Sequence, residues 1–427
     1  MTAQDSNHAS PPENTQKFAG WRMTGIAFFL DFIQVGFFFY SFGIFFLALT
    51  EEFGATRLGV SLAFMISSIV GAIFGPFIGQ LLDKQSSIKP TMIAGALMLA
   101  TGYGLLSQIT AMWQFYFIAG TLLALGGSTM GGQSSSKLVA NWFVKKRGVA
   151  LGVATMGISG SGVLMPALSS FMIDEYGWRN SYLLFAISII ILVIPVILIW
   201  VVTKPEDIGQ LPDGEIIAPN APVAAVVPQT QWTTSAILKS TNFWLIALTF
   251  SILIGVFQAI LLHMVPQFMD MGFDIEEAAF ALSVAATLGV LGKVVFGWLI
   301  DNFHPRLAVW VCIATQAAGA LGILLFDDYT LLLSASALYG FGMGGVVPLN
   351  GAISGAVFGR LSFGRVMGLM RPATLPIQGA TTPLAGWIYD QTGSYLYAFE
   401  IFFGAWLVAA IAISLVKLPN SEQASNS

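Results

Sequence analysis

Among the residues able to do chemistry, several sit inside otherwise apolar stretches: Asp31, Lys137, Lys293 and Arg371, with His263 and the amides Gln133, Gln258 and Asn350. An ionisable group inside a membrane span costs about 2.5–3.5 kcal/mol on insertion scales, so each implies a function or a partner. Lys293 lies eight residues before Asp301, about 12 Å along a helix, too deep for its ammonium to reach the headgroups comfortably. It reads as a substrate or coupling site, or else as the partner of a buried carboxylate. Arg371 precedes Pro372, whose missing N–H permits a bend. It reads equally as a cavity cation or as an arginine snorkelling at the cytoplasmic mouth. Lys137, four residues before Asn141-Trp142, is expected at the interface, with a cavity role as the other reading. Asp31, about ten residues into its span, is either a proton site or a charge partner for Lys137, Lys293 or Arg371. The imidazole of His263 suits proton gating or plain packing. Gln258, Gln133 and Asn350 are candidates to donate to a bound carboxylate or to bond neighbouring helices. Tyr40 and Tyr339 are candidate cavity aromatics, whereas Glu400 is placed at the interface. Three cations against two anions within spans leave a positive surplus, which favours an anion.

The elements that must carry these groups are membrane helices. Of 427 residues, 56% are hydrophobic and only 9% charged, where a soluble domain carries about 25%. A net charge of −4 gives no basic excess for nucleic acid. One cysteine and three scattered histidines exclude an intrachain disulfide and a Cys-cluster metal site, and no cofactor is implied. The first 16 residues are polar, and no signal peptide is expected there. Stretches long enough to cross a core about 30 Å thick fall at 22–49, 58–82, 91–110, 114–140, 148–172, 180–202, 243–265, 277–300, 307–326, 330–357, 366–388 and 396–416. Twelve helices follow, with a Pro/Ala/Val-rich linker between the sixth and seventh. Sorting the 18 basic residues puts thirteen on the side of the N-terminus, Arg57 and Arg179 on the other, and three within spans. The excess of positive charge marks the cytoplasmic side, so both termini are expected there.

The two halves repeat. GQLLDK (Gly79, Asp83) returns as GWLIDN (Gly297, Asp301). KRGVALG (Gly148, Gly152) returns as FGRVMGL (Gly364, Gly368), and SSFMIDEYGW (Asp174, Gly177) returns as AGWIYDQTGS (Asp390, Gly393), all at nearly one spacing. A duplicated six-helix unit related by an axis along the membrane normal is one transporter architecture. The loop after span two, GQLLDKQSSIK, resembles the Gly-x-x-x-Asp-(Arg/Lys)-x-Gly-(Arg/Lys) signature of the major facilitator superfamily, with Ser86 in place of the second glycine. NWFVKKRGVALGVATMGISGSG, LLHMVPQFMDMGF and KPEDIGQLPDG are similar to its monocarboxylate porter and oxalate–formate exchanger group. The Gly-Pro signature of drug-exporting antiporters is absent from span five.

The resemblance implies an all-α membrane protein of 12 transmembrane helices in two pseudo-symmetric six-helix bundles. Its parts are a disordered cytoplasmic N-tail (1–16), bundles at 17–202 and 242–417, a cytoplasmic linker (203–241) and a C-tail (418–427). It implies anion binding at Lys293, four residues before Gly297, where the group usually has arginine. Gly289 and Gly43 stand where vertebrate members have an aspartate and a lysine, and Arg371 is about one turn nearer the cytoplasm than the exchanger's span-eleven lysine. In the family, the loop aspartates and basic neighbours latch helices of one half. Asp83 and Asp301 are therefore assigned to gating, with Arg147 and Arg365 as cationic counterparts. The expected protein is a monomeric secondary transporter of the plasma membrane (the inner membrane if bacterial). It moves a small organic anion, expected to be a monocarboxylate, with a proton or in exchange for another anion. Lys293, Arg371, Gln258, Asn350, Gln133 and Tyr40 would face the substrate, and Asp31 and His263 the proton. A carrier or exporter of a larger neutral or amphipathic solute, such as a vitamin, is the alternative.

Overall fold

Long apolar runs leave the backbone no hydrogen-bond partner but itself, and helices follow. The structure, a computed structural model, describes residues 17–54, 57–84, 87–215 and 231–418. The expected N-tail, the C-tail beyond residue 418 and linker positions 216–230 lie outside the described residues, as does Ser86. The first half runs α1 (Gly20–Val35), α2 (Phe42–Phe53), α3 (Arg57–Asp83), α4 (Ile88–Leu106), α5 (Met112–Ile118), α6 (Ala124–Met130), α7 (Gln133–Trp142), α8 (Arg147–Ser188) and α9 (Ile194–Trp200). After a short α10 (Thr234–Lys239), the second half runs α11 (Thr241–Asp270), α12 (Ile275–Asn302), α13 (Pro305–Leu325), α14 (Tyr329–Gly344), α15 (Val346–Phe358), α16 (Phe363–Thr392) and α17 (Leu396–Leu415). No strand occurs among the described residues.

These elements make the twelve spans. Eight described stretches are long and apolar enough to cross a membrane unaided, and one of them, Arg147–Trp200, turns at Gly177 into spans five and six. Gly177 has φ 77° and ψ 158°, a conformation that L side chains rarely adopt. Spans three, four and eleven fall short of that length and apolarity: the helix of span three opens with Lys89 just ahead of the span, span four breaks at Gly131–Gly132, and span eleven carries Arg371 with three prolines.

Two hydrophobic cores form. One draws buried residues from Met23 to Val201, the other from Ile237 to Val416. The halves meet chiefly where α3 packs on α16 and where α8 packs on α12. Both crossings are close. A Cβ on Gly79 would stand 2.1 Å from the Gly364 carbonyl, and one on Gly148 would stand 2.3 Å from that of Gly297. Small residues at a helix crossing allow this backbone approach in lipid, where packing rather than water exclusion drives association. Both described chain ends lie at one face with the linker. There Gln210 accepts from the Ala19 N–H (3.0 Å) and Asp213 caps the N–H groups of Val144, Lys145 and Lys146.

Candidate central site and its latches

At the linker face, two carboxylates each reach from one half into the other. Asp83, which ends α3, accepts from the N–H groups of Gly364 (2.9 Å) and Arg365 (2.9 Å) in the first turn of α16. Asp301, near the end of α12, accepts from Gly148 (2.7 Å) and Val149 (2.8 Å) in the first turn of α8. Each acid meets free backbone donors and the positive end of a helix dipole. Hydrogen bonds to a charged group contribute about 1.5–3 kcal/mol each. The linker face is shut by these bonds and the glycine crossings beside them.

Three expectations about this face are corrected. The aspartates do not latch helices of one half; each bridges to the opposite half, because the helix N-terminus it caps belongs there. The guanidinium of Arg365 goes to the Trp232 carbonyl, so only its backbone N–H serves Asp83. The Arg147 side chain donates to the Phe143 and Ala140 carbonyls and reaches Asp301 only through its field. The cation that does pair with Asp83 is Lys137, whose Nζ lies 3.0 Å from Oδ1 and also donates to the Arg360 carbonyl. Lys137 is 1% exposed, so it is not a headgroup-level cation. Arg360 in turn pairs with Glu206 of the linker at 2.5 Å.

About 12 Å deeper along α12 lies Lys293, buried, its Nζ donating to the Thr155 carbonyl (2.9 Å) and the Ser159 hydroxyl of α8. Asp31 and Lys293 influence each other electrostatically but form no ion pair among the described residues. Asp31 is 2% exposed and accepts from the Gly132 N–H at 2.8 Å. That N–H is free because the helix breaks there: Gly132 has φ 45° and ψ −99°, and α7 starts with Gln133. Gln133 is 5% exposed, and neither its Oε1 nor its Nε2 has a partner among the described residues.

Arg371 lies deep among neighbouring helices yet is exposed, as a side chain in an internal cavity is. Its guanidinium faces Gly71 of α3 and Gly132, with no hydrogen bond or ion pair among the described residues. It does not snorkel to the surface. The other candidates are dispersed. Gln258 is exposed on α11. Tyr40 packs its ring on Gly162 of α8. Asn350, which falls 217 positions after Gln133 and so matches it in the repeat, accepts from its neighbour Ser354 (3.4 Å), so the two amides differ in state. His263 is held within the second half by Tyr395 (3.1 Å) and the Thr382 carbonyl (3.3 Å). Tyr339 is fully buried in the second core and lines no cavity. An apolar groove of about 640 Å³ between α13 and α17 lies away from all of these charges.

The sequence and the fold have counterparts among known proteins. The model of the Major Facilitator Superfamily matches residues 25–374 and 270–427. The chain belongs to that family. Monocarboxylate transporter 13 of Bos taurus is 26% identical over 420 residues, covering 96% of this chain and 91% of that one. Human monocarboxylate transporter 2 is 25% identical over 436 residues, covering 95% and 88%. Among solved structures, a variant of the E. coli fucose:proton symporter aligns with a TM-score of 0.67 at 15% identity, covering 94% of this chain and all of that one. The human organic anion transporter MFSD10 aligns with a TM-score of 0.66 at 17% identity, covering 95% and 100%. These establish the 12-helix fold of the family, whose members here are transporters and not enzymes.

Sequence reasoning missed Thr155, Ser159 and the break before α7. The signals were available. The doublet Gly131-Gly132 interrupts an apolar span, and the repeat aligns Arg371 with Thr155.

Proposed function

We propose that this protein is a secondary active transporter of a small organic anion, a monocarboxylate by preference, working by alternating access. The halves at 17–202 and 242–417 rock about the central site, and the crossed aspartates hold the closed state seen here. The single observation that carries the anion reading is Arg371, a guanidinium inside the membrane with no ion pair among the described residues. A lone charge within a membrane span is costly, and a substrate carboxylate removes that cost in a way a neutral solute does not. The monocarboxylate transporters among its relatives support the same class.

Arg371, Gln133, Lys293, Gln258, Asn350 and Tyr40 form the substrate-facing set, with Lys293 adding its field while it is bonded to α8. Asp31 is the proton site, since it is the one carboxylate among these central groups. His263 contributes less, being tied to Tyr395. The linker face is cytoplasmic, the protein acts as a monomer, and its membrane is the plasma membrane. Uptake into proteoliposomes of radiolabelled lactate, pyruvate, propionate and a neutral vitamin panel tests this. Saturable, gradient-driven accumulation of a carboxylate is the expected result. Transport of neutral solutes alone would replace the anion reading with the amphipathic-solute one.

A further inference from the structure

The two interfaces between the halves are related by the repeat, and each carries one cation at the same depth. The register that pairs Gly79 with Gly297 also pairs Gly75 of α3 with Lys293 of α12. The register that pairs Gly148 with Gly364 also pairs Thr155 of α8 with Arg371 of α16. In the α8–α12 interface, Lys293 crosses to Thr155 and Ser159, which accept two hydrogen bonds from it. In the α3–α16 interface the cation comes from the opposite partner. Arg371 crosses to a glycine, which has no group to offer it.

What lies there instead is Gln133. A Cβ built on Gly75 would stand 3.2 Å from Arg371 Cδ and 3.3 Å from Gln133 Nε2, so both side chains converge on one point. A Cβ on Gly71 would meet Arg371 Nη1 at 3.3 Å, and one on Gly132 would meet Nη2 at 3.7 Å. The guanidinium therefore lies between a glycine floor on α3 and the break before α7. Gln133 is nine-tenths buried with both amide atoms unpartnered, and Arg371 has no acceptor among the described residues.

We propose that Arg371 and Gln133 together are the docking point of the substrate's carboxylate, over the floor of Gly71 and Gly75. The proposal rests on the reading of the protein as an anion carrier, and it moves the primary contact away from Lys293. A guanidinium offers a planar fork that matches a carboxylate's two oxygens, and the Gln133 amide supplies a further donor. Lys293 has its protein acceptors and the field of Asp31. With Asp31 set against Lys293, one unopposed positive charge is left among the described residues, so the site takes a monoanion in preference to a dianion.

The test uses the full chain in proteoliposomes, with radiolabelled lactate, pyruvate and propionate as probes and malonate and propionamide as competitors. Arg371→Gln raises KM by roughly 30-fold or more, the loss expected when a desolvated charge partner is removed. Arg371→Lys keeps part of the affinity. Gln133→Leu raises KM with little change in Vmax. Gly71→Ala, whose methyl meets only the guanidinium, does the same to a smaller degree. Malonate and propionamide compete weakly with wild type. If Arg371→Gln fails to insert, Gln133→Leu and Gly71→Ala decide, since both leave the charge in place. Unchanged KM in both, for a probe that wild type accumulates, overturns the docking point and leaves the carrier reading standing. Failure of wild type to move any carboxylate overturns that reading itself.

Discussion

Two of the three ammonium protons of Lys293 are engaged on α8, and this gives the lysine a measurable part in holding the halves together. Lys293→Met removes both bonds, each worth about 1.5–3 kcal/mol because the donor is charged. The thermal stability of the detergent-solubilised protein is expected to fall. Ser159→Ala should cost less, and in the double variant the two losses should not add. Additive losses would show that the two groups act separately. Asp31 has a different test. Asp31→Asn keeps an oxygen that accepts from the Gly132 N–H but removes the charge and the titratable proton. Substrate counterflow should survive, while accumulation driven by a proton gradient should vanish. Intact accumulation would take Asp31 out of the proton path.

The ten-residue helix α7 links these side chains to the closed face. Gln133 opens it, Lys137 follows one turn later on Asp83, and Asn141 and Trp142 end it on the Thr203 and Val202 carbonyls. The helix can start where it does because Gly132 holds a positive φ. An L side chain in the left-handed region costs roughly 1–2 kcal/mol. A Cβ at Gly132 has no neighbour closer than 3.7 Å, so Gly132→Ala acts through the backbone and not by collision. It should therefore move both ends of α7, raising KM through Gln133 and changing Vmax through Lys137. Gly71→Ala, by contrast, should affect KM alone. Normal kinetics in Gly132→Ala would mean that α7 does not transmit between site and latch.

For the whole molecule, the two latches look equivalent in sequence and differ in charge. Asp83 has Lys137 against it, whereas among the described residues Asp301 has only the backbone N–H pair within bonding distance. Breaking a buried ion pair leaves an uncompensated charge and costs about 3–5 kcal/mol. Asp83→Asn should thus open the linker face more than Asp301→Asn does. Hydrogen exchange reads this directly at the capped amides: Gly364 and Arg365 for the first, Gly148 and Val149 for the second. Equal acceleration in both variants would remove Lys137 from the latch. The side of the membrane is checked separately. A reporter active only in the cytoplasm, inserted within 218–228, should be active, because the excess of basic residues falls on that face.

The sequence alone carried the spans, the duplication and the family, because each is written in local pattern. Apolar length specifies a membrane helix, and the Gly79/Asp83 and Gly297/Asp301 motifs recur at a fixed offset whatever their surroundings. It also singled out the buried charges, since an ionisable residue in an apolar run is conspicuous without any coordinates. It did not say which charge meets which partner. Lys137 reads as interfacial and Arg365 as the cation of the latch, yet Lys137 pairs with Asp83 and Arg365 offers only its backbone. Lys293 and Arg371 read alike, as cations within spans, yet one finds a carbonyl and a hydroxyl and the other a glycine. Those outcomes depend on which face of a helix crosses which neighbour and in what register. That is fixed by packing between segments far apart along the chain, as Lys293 of α12 and Thr155 of α8 are, and no local pattern reports it.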